Sequence, residues 1–364
     1  MSQNLFERVI SEENIQDAFR KTQLGKGKYK SEAILFSKNE THNLQILVKS
    51  LVDETYEFSD YEEFTVYEPK ERVINAPRYR DKIVQIALNN VLKEVYNKCF
   101  IYDSYACIDN KGTHKCVDRI QNFMRKAKRK HGDSCYIIKI DIKKFFYSID
   151  REILKKVVSK KIKCKKTFRL ICKIIDSANV IDEVGLPLGN TLSQICANIY
   201  LNELDQYAKR GLRLKYYVRF ADDLVIVVEN KQRAIKVLNL IEKYLHEALK
   251  LETNKSKTKI FPLRQGVNSV GFKIHTTHRL LRNDSKKRIK RKSKKMLKLI
   301  ITNKMTIDKA EQMLNSWNGH AMHGCSKNFV DYLLTKNKHI CLTQKGTFKI
   351  NRSIILKNGG RLEC

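Results

Sequence analysis

Apolar positions along the chain alternate between two periods, about 3.6 and 2, and the switches divide it into helices and strands. A polar, helical lead-in is expected over residues 1–30, followed by helices over 40–58 and 80–99. The second of these carries Ile83, Val84, Ala87, Leu88 and Val91 on one face. Between them FTVYEPKERVINAP (64–77) reads as a hairpin turning around Pro69 and Lys70. A basic helix is expected over 114–131, then a buried strand in YIIKIDI (136–142) and a helix from about Ser148. Helical patterns over 168–181 and 190–210 lead to KYYVRFADDLVIVVE (215–229), where two apolar β-branched runs flank Asp222 and Asp223. Residues 231–250 form an amphipathic pattern with Ile235, Leu238, Ile241, Leu245 and Leu249 on the apolar side. Short strands near 258–262 and 269–275 precede a helical C-terminal part. The order β-α-α-β-β-α-β implies an α+β sandwich. No repeat or Pro/Gly/Ser linker separates the parts, so subdomains of one body are expected.

Charge narrows the partners. The chain has 364 residues, 42% of them hydrophobic, with only 4 prolines. Its 72 Lys and Arg against 39 Asp and Glu leave a net charge of +33. From Arg264 to Cys364 there are 23 basic and 5 acidic residues. A surplus of this size suits a polyanion, and the density of SKKRIKRKSKKMLK (285–298) points to nucleic acid rather than to a merely solvated surface. Ten cysteines are scattered without a CxxC pair, so reduced thiols in a cytoplasm are expected. His320, His323 and Cys325 in GHAMHGC do not have zinc-motif spacing. No signal peptide opens the chain and no run approaches 18 apolar residues, so no membrane partner is expected.

Two adjacent carboxylates at a hairpin tip repel each other and persist best around a cation. An exposed Asp-Asp turn is also common without any metal. The strand that ends at Asp141, 81 residues before Asp222, alters that balance. If it lies beside the hairpin, Asp141, Asp222 and Asp223 form a cluster able to hold two divalent ions, and hard oxygen ligands favour Mg²⁺. The other reading of Asp141 is a helix cap.

The run DIKKFF from Asp141, GLPLGNTLSQ (185–194), RFADDLVIV (219–227), NKSKT from Asn254 and SVGF from Ser269 resemble the palm motifs of reverse transcriptases. The segment EPKERVINAPRYRDKIVQ (68–85) resembles their fingers motifs, and the match runs in order from about residue 60 to 275. The resemblance implies a right-hand polymerase that copies RNA into DNA from dNTPs. Its lead-in and fingers would span 1–135, its palm 136–275 and a basic helical thumb with the C-terminal tail 276–364. It implies two Mg²⁺ ions, with Mn²⁺ tolerated, on Asp141, Asp222 and Asp223. It further implies a proton donor to pyrophosphate at Lys257 and triphosphate contacts from Lys70, Arg72 and Arg80. Phe146 would be a gate against the ribose 2′-OH, with Phe145 packed in the core. Leu188 and Gly189 would line the nucleotide, with Gly189 allowing close approach of the nucleic acid. Ser193 and Gln194 would face the template, and Phe220, Gly271 and Phe272 the primer. Lys286, Lys287, Arg288, Lys290 and Arg291 would track the duplex, while Trp317 packs in the thumb.

Two positions depart from the family pattern. Phe220 stands where tyrosine is usual, and Leu188 where many members carry glutamine. Leu188 followed by GNTLSQ resembles the enzymes of diversity-generating retroelements. Bacterial antiviral-defence reverse transcriptases with a dedicated non-coding RNA are the second expectation, and group II intron enzymes the third. The chain would be bacterial or phage-encoded, without room for an appended nuclease or RNase H domain. A structured RNA, an accessory protein and oligomerisation remain open. A catalytically idle RNA-binding scaffold and an RNA-templated RNA polymerase are the readings outside this class.

Overall fold

A computed structural model describes residues 4–24, 26–67, 71–177 and 184–357. Seven elements open the chain: α1 (Leu5–Ile10), α2 (Glu12–Thr22), α3 (Ser31–Lys38), α4 (Glu40–Val52), the antiparallel pair β1 (Glu62–Val66) and β2 (Arg72–Ala76), and α5 (Tyr79–Asn97). Next come α6 (Thr113–His131), β3 (Tyr136–Asp141), α7 (Arg151–Ser159), α8 (Lys165–Asp176) and α9 (Thr191–Gln206). The hairpin β4 (Tyr217–Phe220) and β5 (Asp223–Val228) leads to α10 (Lys231–Leu249) and β6 (Lys259–Pro262). The rest is β7 (Val267–Ser269), β8 (Phe272–Ile274), β9 (Arg279–Leu281), α11 (Asn283–Ile301), α12 (Ile307–Ala321), α13 (Lys327–Lys336), β10 (Ile340–Leu342), β11 (Phe348–Ile350) and α14 (Arg352–Lys357).

The chain divides into two compact units. The first comprises Met1–Gly112, Ile138–Ile226 and Gln232–Lys259. Its axis is α5, which packs on both α2 and α9 and is therefore buried nearly all round, polar Asp81, Gln85 and Asn89 included. The strands β4, β5, β3 and β6 lie in that order in one sheet. The inward runs of β3, β4 and β5 are almost wholly buried. Caps set the helix starts. The Asp150 carboxylate accepts from Ile153 N at 2.9 Å, so α7 begins at Arg151 after a short turn at Phe145–Tyr147, later than Ser148. Asn190 Oδ1 accepts from Leu192 N at 2.7 Å and opens α9.

The second unit, Thr113–Ile137, Val227–Lys231 and Ile260–Cys364, holds 31 basic and 8 acidic residues, +23 of the chain's +33. It contains α6, the sheet β7–β8–β9, and the helices α11 to α14 around a core of Ile289, Met296, Leu314, Leu333 and Phe348. Trp317 packs against Phe329 and Phe348, as expected of a core residue.

Several elements differ from the sequence expectation. Helix α3 and strands β9, β10 and β11 have no counterpart among the expected elements; the three strands, at three residues each, show too little alternation to be read. Ile235 is exposed, and the buried stripe of α10 runs through Ala234, Val237, Ile241, Leu245 and Leu249 instead. The turn at Pro69 and Lys70 lies outside the described residues.

Candidate active site

The β4–β5 hairpin closes through Ala221 and Asp222, with Phe220 paired to Asp223 across the strands. Ala221 adopts a left-handed conformation, φ +52°. The Asp222 carbonyl accepts from Ile142 N at 3.2 Å, which ties the tip to the end of β3. Asp141 is the last residue of β3, and its carbonyl accepts from Asn254 N at 2.7 Å. The following turn brings Lys257 Nζ to 2.8 and 3.0 Å from the two Asp141 oxygens. Residues separated by up to 116 positions thus meet at one sheet end.

Electrostatics in this corner are asymmetric. The Asp222 carboxyl is pushed above the ordinary range, first by burial and also by the like charge of Asp141, while its own backbone N–H, Lys257 and Arg72 pull it back. Asp223 lies 3.1 Å from Lys139 Nζ. Lys139 stands two residues before Asp141, on the same side of β3. Asp141 and Asp222 therefore interact as like charges, and Asp141 and Asp223 each have a lysine partner, Lys257 and Lys139. Among the described residues no group of three or more His, Cys, Asp or Glu is gathered as a metal cage.

The remaining expected residues fall into several environments. Arg72 opens β2 and acts electrostatically on Asp222. Leu188 is half-buried and its carbonyl accepts from Asn75 N at 2.6 Å, joining the 185–190 loop to β2. Gly189 has φ +106°, and a Cβ there would lie 2.7 Å from Ile74 Cγ2 and 3.1 Å from the Asn75 carbonyl. The glycine is thus required by the hairpin strand beside it, a reason different from close approach of nucleic acid. Gly189→Ala is expected to cost about 1–3 kcal/mol from the backbone conformation alone, read as a lower melting temperature. Phe146 is half-buried, edge-on to the buried Phe145 at 5.5 Å. Arg80 lies over the Tyr56 ring, 4.8 Å from its centroid, and donates to the Glu57 carbonyl. Asp81, next to Arg80 in the chain, is buried and accepts from Tyr56 Oη at 2.6 Å and Ser59 N at 3.0 Å. Lys70 lies outside the described residues.

Two expectations are corrected by burial. Ser193 is buried in α9, so of the pair only Gln194 is exposed. Phe272 is fully buried, its ring 4.4 Å from that of His320, and it packs in its unit's core rather than facing a primer. Gly271, φ +90°, abuts His320, whereas Phe220 is half-buried at the end of β4. In α11, Lys287 and Arg291 are exposed, while Lys286 and Lys290 lie over the Phe329 ring and Lys290 also over Tyr332. Arg288 lines a groove of about 540 Å³ with Trp317.

The family model described as reverse transcriptase (RNA-dependent DNA polymerase) matches residues 67–274, more than half of the chain. The chain belongs to the reverse transcriptase family. A putative COX1/OXI3 intron 2 protein of Saccharomyces cerevisiae is 25% identical, covering 57% of this chain and 31% of its own length. Protein YkfC of Escherichia coli is 25% identical, with 61% and 67% covered. The group II intron-encoded protein LtrA of Lactococcus lactis is 24% identical, with 56% and 44% covered. The chain thus spans less than half of the yeast and lactococcal relatives. A solved telomerase of Candida tropicalis, in complex with a TWJ fragment of telomeric RNA, superposes with a TM-score of 0.51 at 14% identity, covering 81% of this chain and 59% of that one. That likeness shows the right-hand polymerase fold, and the class is α+β.

Reverse transcriptases generally use divalent metal ions. The donor set fits a hard cation. Asp141 and Asp222 present carboxylate oxygens at the same sheet end, and the raised Asp222 carboxyl marks a charge that a cation would relieve. Sequence reasoning missed Lys139 and a buried network around Arg219. Arg219 and Asp205 are both fully buried, with Nη2 to Oδ2 at 2.7 Å. An arginine inside an apolar strand and an aspartate on a helix 14 residues earlier carry no sign in the sequence that they pair. Among the described residues no helix is long and apolar enough to cross a membrane.

Proposed function

We propose that the chain is an RNA-directed DNA polymerase whose chemistry sits at Asp141, Asp222 and Asp223. The observation that carries this reading is the convergence of Asp141, Asp222 and Lys257 at the ends of β3 and the hairpin. Asp141 and Asp222 would hold Mg²⁺, with Asp223 joining them by leaving Lys139. Bound there, the ions would acidify a primer 3′-hydroxyl and neutralise the departing pyrophosphate. Lys257, released from Asp141, would protonate that leaving group. Arg72 and Arg80, with Lys70, would grip the triphosphate through charge-assisted bonds.

Partner recognition follows from charge. The +23 unit and the row of cations on α11 suit the phosphates of a template–primer duplex, and affinity would fall steeply with salt. An RNA template is supported by the family and by the telomerase likeness in fold. The division into fingers, palm and thumb, and the cytoplasmic setting, belong to the same proposal. The assay is extension of a primer on an RNA template with dNTPs or rNTPs. Lack of any dNTP incorporation by folded protein would sink it.

Phe146 would exclude ribonucleotides by filling the space of the 2′-OH. Phe146→Val is expected to reduce the dNTP-over-rNTP preference by about 10–100-fold, with dNTP use largely kept. An unchanged preference would place the gate elsewhere.

For the biological setting, Leu188 beside Gly189 favours error-prone copying in a diversity-generating retroelement. An apolar wall there removes a polar check on the incoming base. The second reading, an enzyme paired with its own structured RNA, is supported by the size of the basic surface. Intron-encoded relatives such as LtrA support a third. Sequencing the RNA that co-purifies with the protein, together with its cDNA, separates them. Substitutions confined to template adenines mark the first, faithful copies of one small RNA the second, and intron sequence the third.

A further inference from the structure

Arg219 stands two positions before the left-handed Ala221. It is fully buried, yet every nitrogen of its guanidinium has an acceptor. Nε lies 2.8 and 3.0 Å from the two Asp205 oxygens, and Nη2 lies 2.7 Å from Oδ2. Nη1 donates to Asn198 Oδ1 at 3.0 Å and to the Ala221 carbonyl at 3.3 Å. Tyr217 Oη donates to Asp205 Oδ1 at 2.6 Å, and Asn198 Nδ2 to the Ala106 carbonyl at 2.9 Å. The backbone is held too. Arg219 N donates to the Asp103 carbonyl and Tyr105 N to the Arg219 carbonyl, both at 3.0 Å.

A buried ion pair is a poor way to gain stability, because the desolvation of both charges offsets their attraction. Its distinctive property is directional, since a planar fork imposes one orientation on what it binds. Here the fork ends on the Ala221 carbonyl, and that carbonyl belongs to the peptide plane from which Asp222 departs. A non-glycine residue at φ +52° persists only where its surroundings hold it. Asn198 and Asp205 both lie on α9, the helix whose first turn bears Gln194. One rigid helix thereby sets the direction of the hairpin tip.

We propose that Asp205, Arg219 and Asn198 form a clamp that presets the Ala221–Asp222 peptide for nucleotidyl transfer. The clamp rests on the reading of Asp222 as a metal-binding carboxylate. Arg219 and Asn198 are positioning residues and do not touch substrate. Without the Asn198 contact, the guanidinium keeps Asp205 but is free to tilt away from Ala221, and the carboxylate loses its fixed origin.

The test uses the full chain with Asn198→Ala and Arg219→Lys, an RNA template with a DNA primer, and active-site titration to count competent molecules. Binding of Mn²⁺ alone is measured separately from free-ion electron paramagnetic resonance. Both variants should lower kcat per active site by about tenfold or more, leave KM for dNTP within about twofold, and weaken Mn²⁺ binding several-fold. A role confined to folding would reduce the titrated fraction and leave kcat per site and Mn²⁺ affinity at wild-type values, which would overturn the clamp. If Arg219→Lys does not fold, Asn198→Ala alone decides. Asp222→Asn is the reference. If it stays active, the reading of the site has failed. If it is inactive while Asn198→Ala matches wild type per site, only the clamp has failed.

Discussion

Asp222→Asn, alone or with Asp223→Asn, will abolish primer extension, with a loss of about 10³-fold or more. The amide keeps the shape of the carboxylate and its backbone contacts, including the tip carbonyl bonded to Ile142 N. What disappears is the charge opposite Asp141. The same change should stabilise the metal-free protein. Burial and Asp141 raise the Asp222 carboxyl, so its ionised form is disfavoured in the folded chain relative to the unfolded one. Below the ordinary carboxylate range the group is protonated in both states and the effect is absent. It accrues as pH rises from that range through the raised folded value. Melting of Asp222→Asn should therefore exceed wild type at pH 7 and match it near pH 3. Added Mg²⁺ should raise the wild-type melting temperature and leave the double variant unmoved. Extension by the double variant at wild-type rates would show that these acids are not the metal site.

Asp205→Leu should be the most destabilising single change outside the apolar core. It removes the partner of a fully buried guanidinium and strands the Tyr217 hydroxyl as well. Breaking one side of such a pair typically costs about 3–5 kcal/mol. Urea unfolding should show that loss as a lower midpoint with a similar slope. Adding Arg219→Met should recover most of it, because an apolar pair no longer buries an unmatched charge. The recovered double variant is the informative molecule. It should fold well and still polymerise poorly, since the Ala221 carbonyl has lost its donor. If Asp205→Leu melts like wild type, Arg219 is not desolvated as its burial implies.

Much of the chemistry was legible because it is local in sequence. Asp141 ends a continuous apolar strand, and Asp222 and Asp223 interrupt a second one, so alternation alone placed all three at strand ends. Lys257, named by its motif, follows in a short turn, and the structure sets it against Asp141. Less legible were properties that depend on what lies opposite. Ser193 and Gln194 are neighbours with the same motif standing, yet one faces the core and the other solvent. Phe272 carries a primer-facing motif, but His320 and Gly324 close over its ring. Gly189 is needed because Ile74 and Asn75 press on it from a hairpin more than a hundred residues earlier.

The order of elements, the acids at strand ends and the basic character of the C-terminal part were readable from the chain alone, through periodicity, adjacency and charge count, and the family through the resemblance of its motifs; none of these needs knowledge of neighbours in space. Tertiary structure alone decided which acids share a space, that Lys139 holds Asp223, and that Arg219 is buried on Asp205 rather than exposed on its strand. Each is a pairing across distant segments, and its energy depends on desolvation and on angle as much as on residue type. Such quantities exist only once the chain has closed around them.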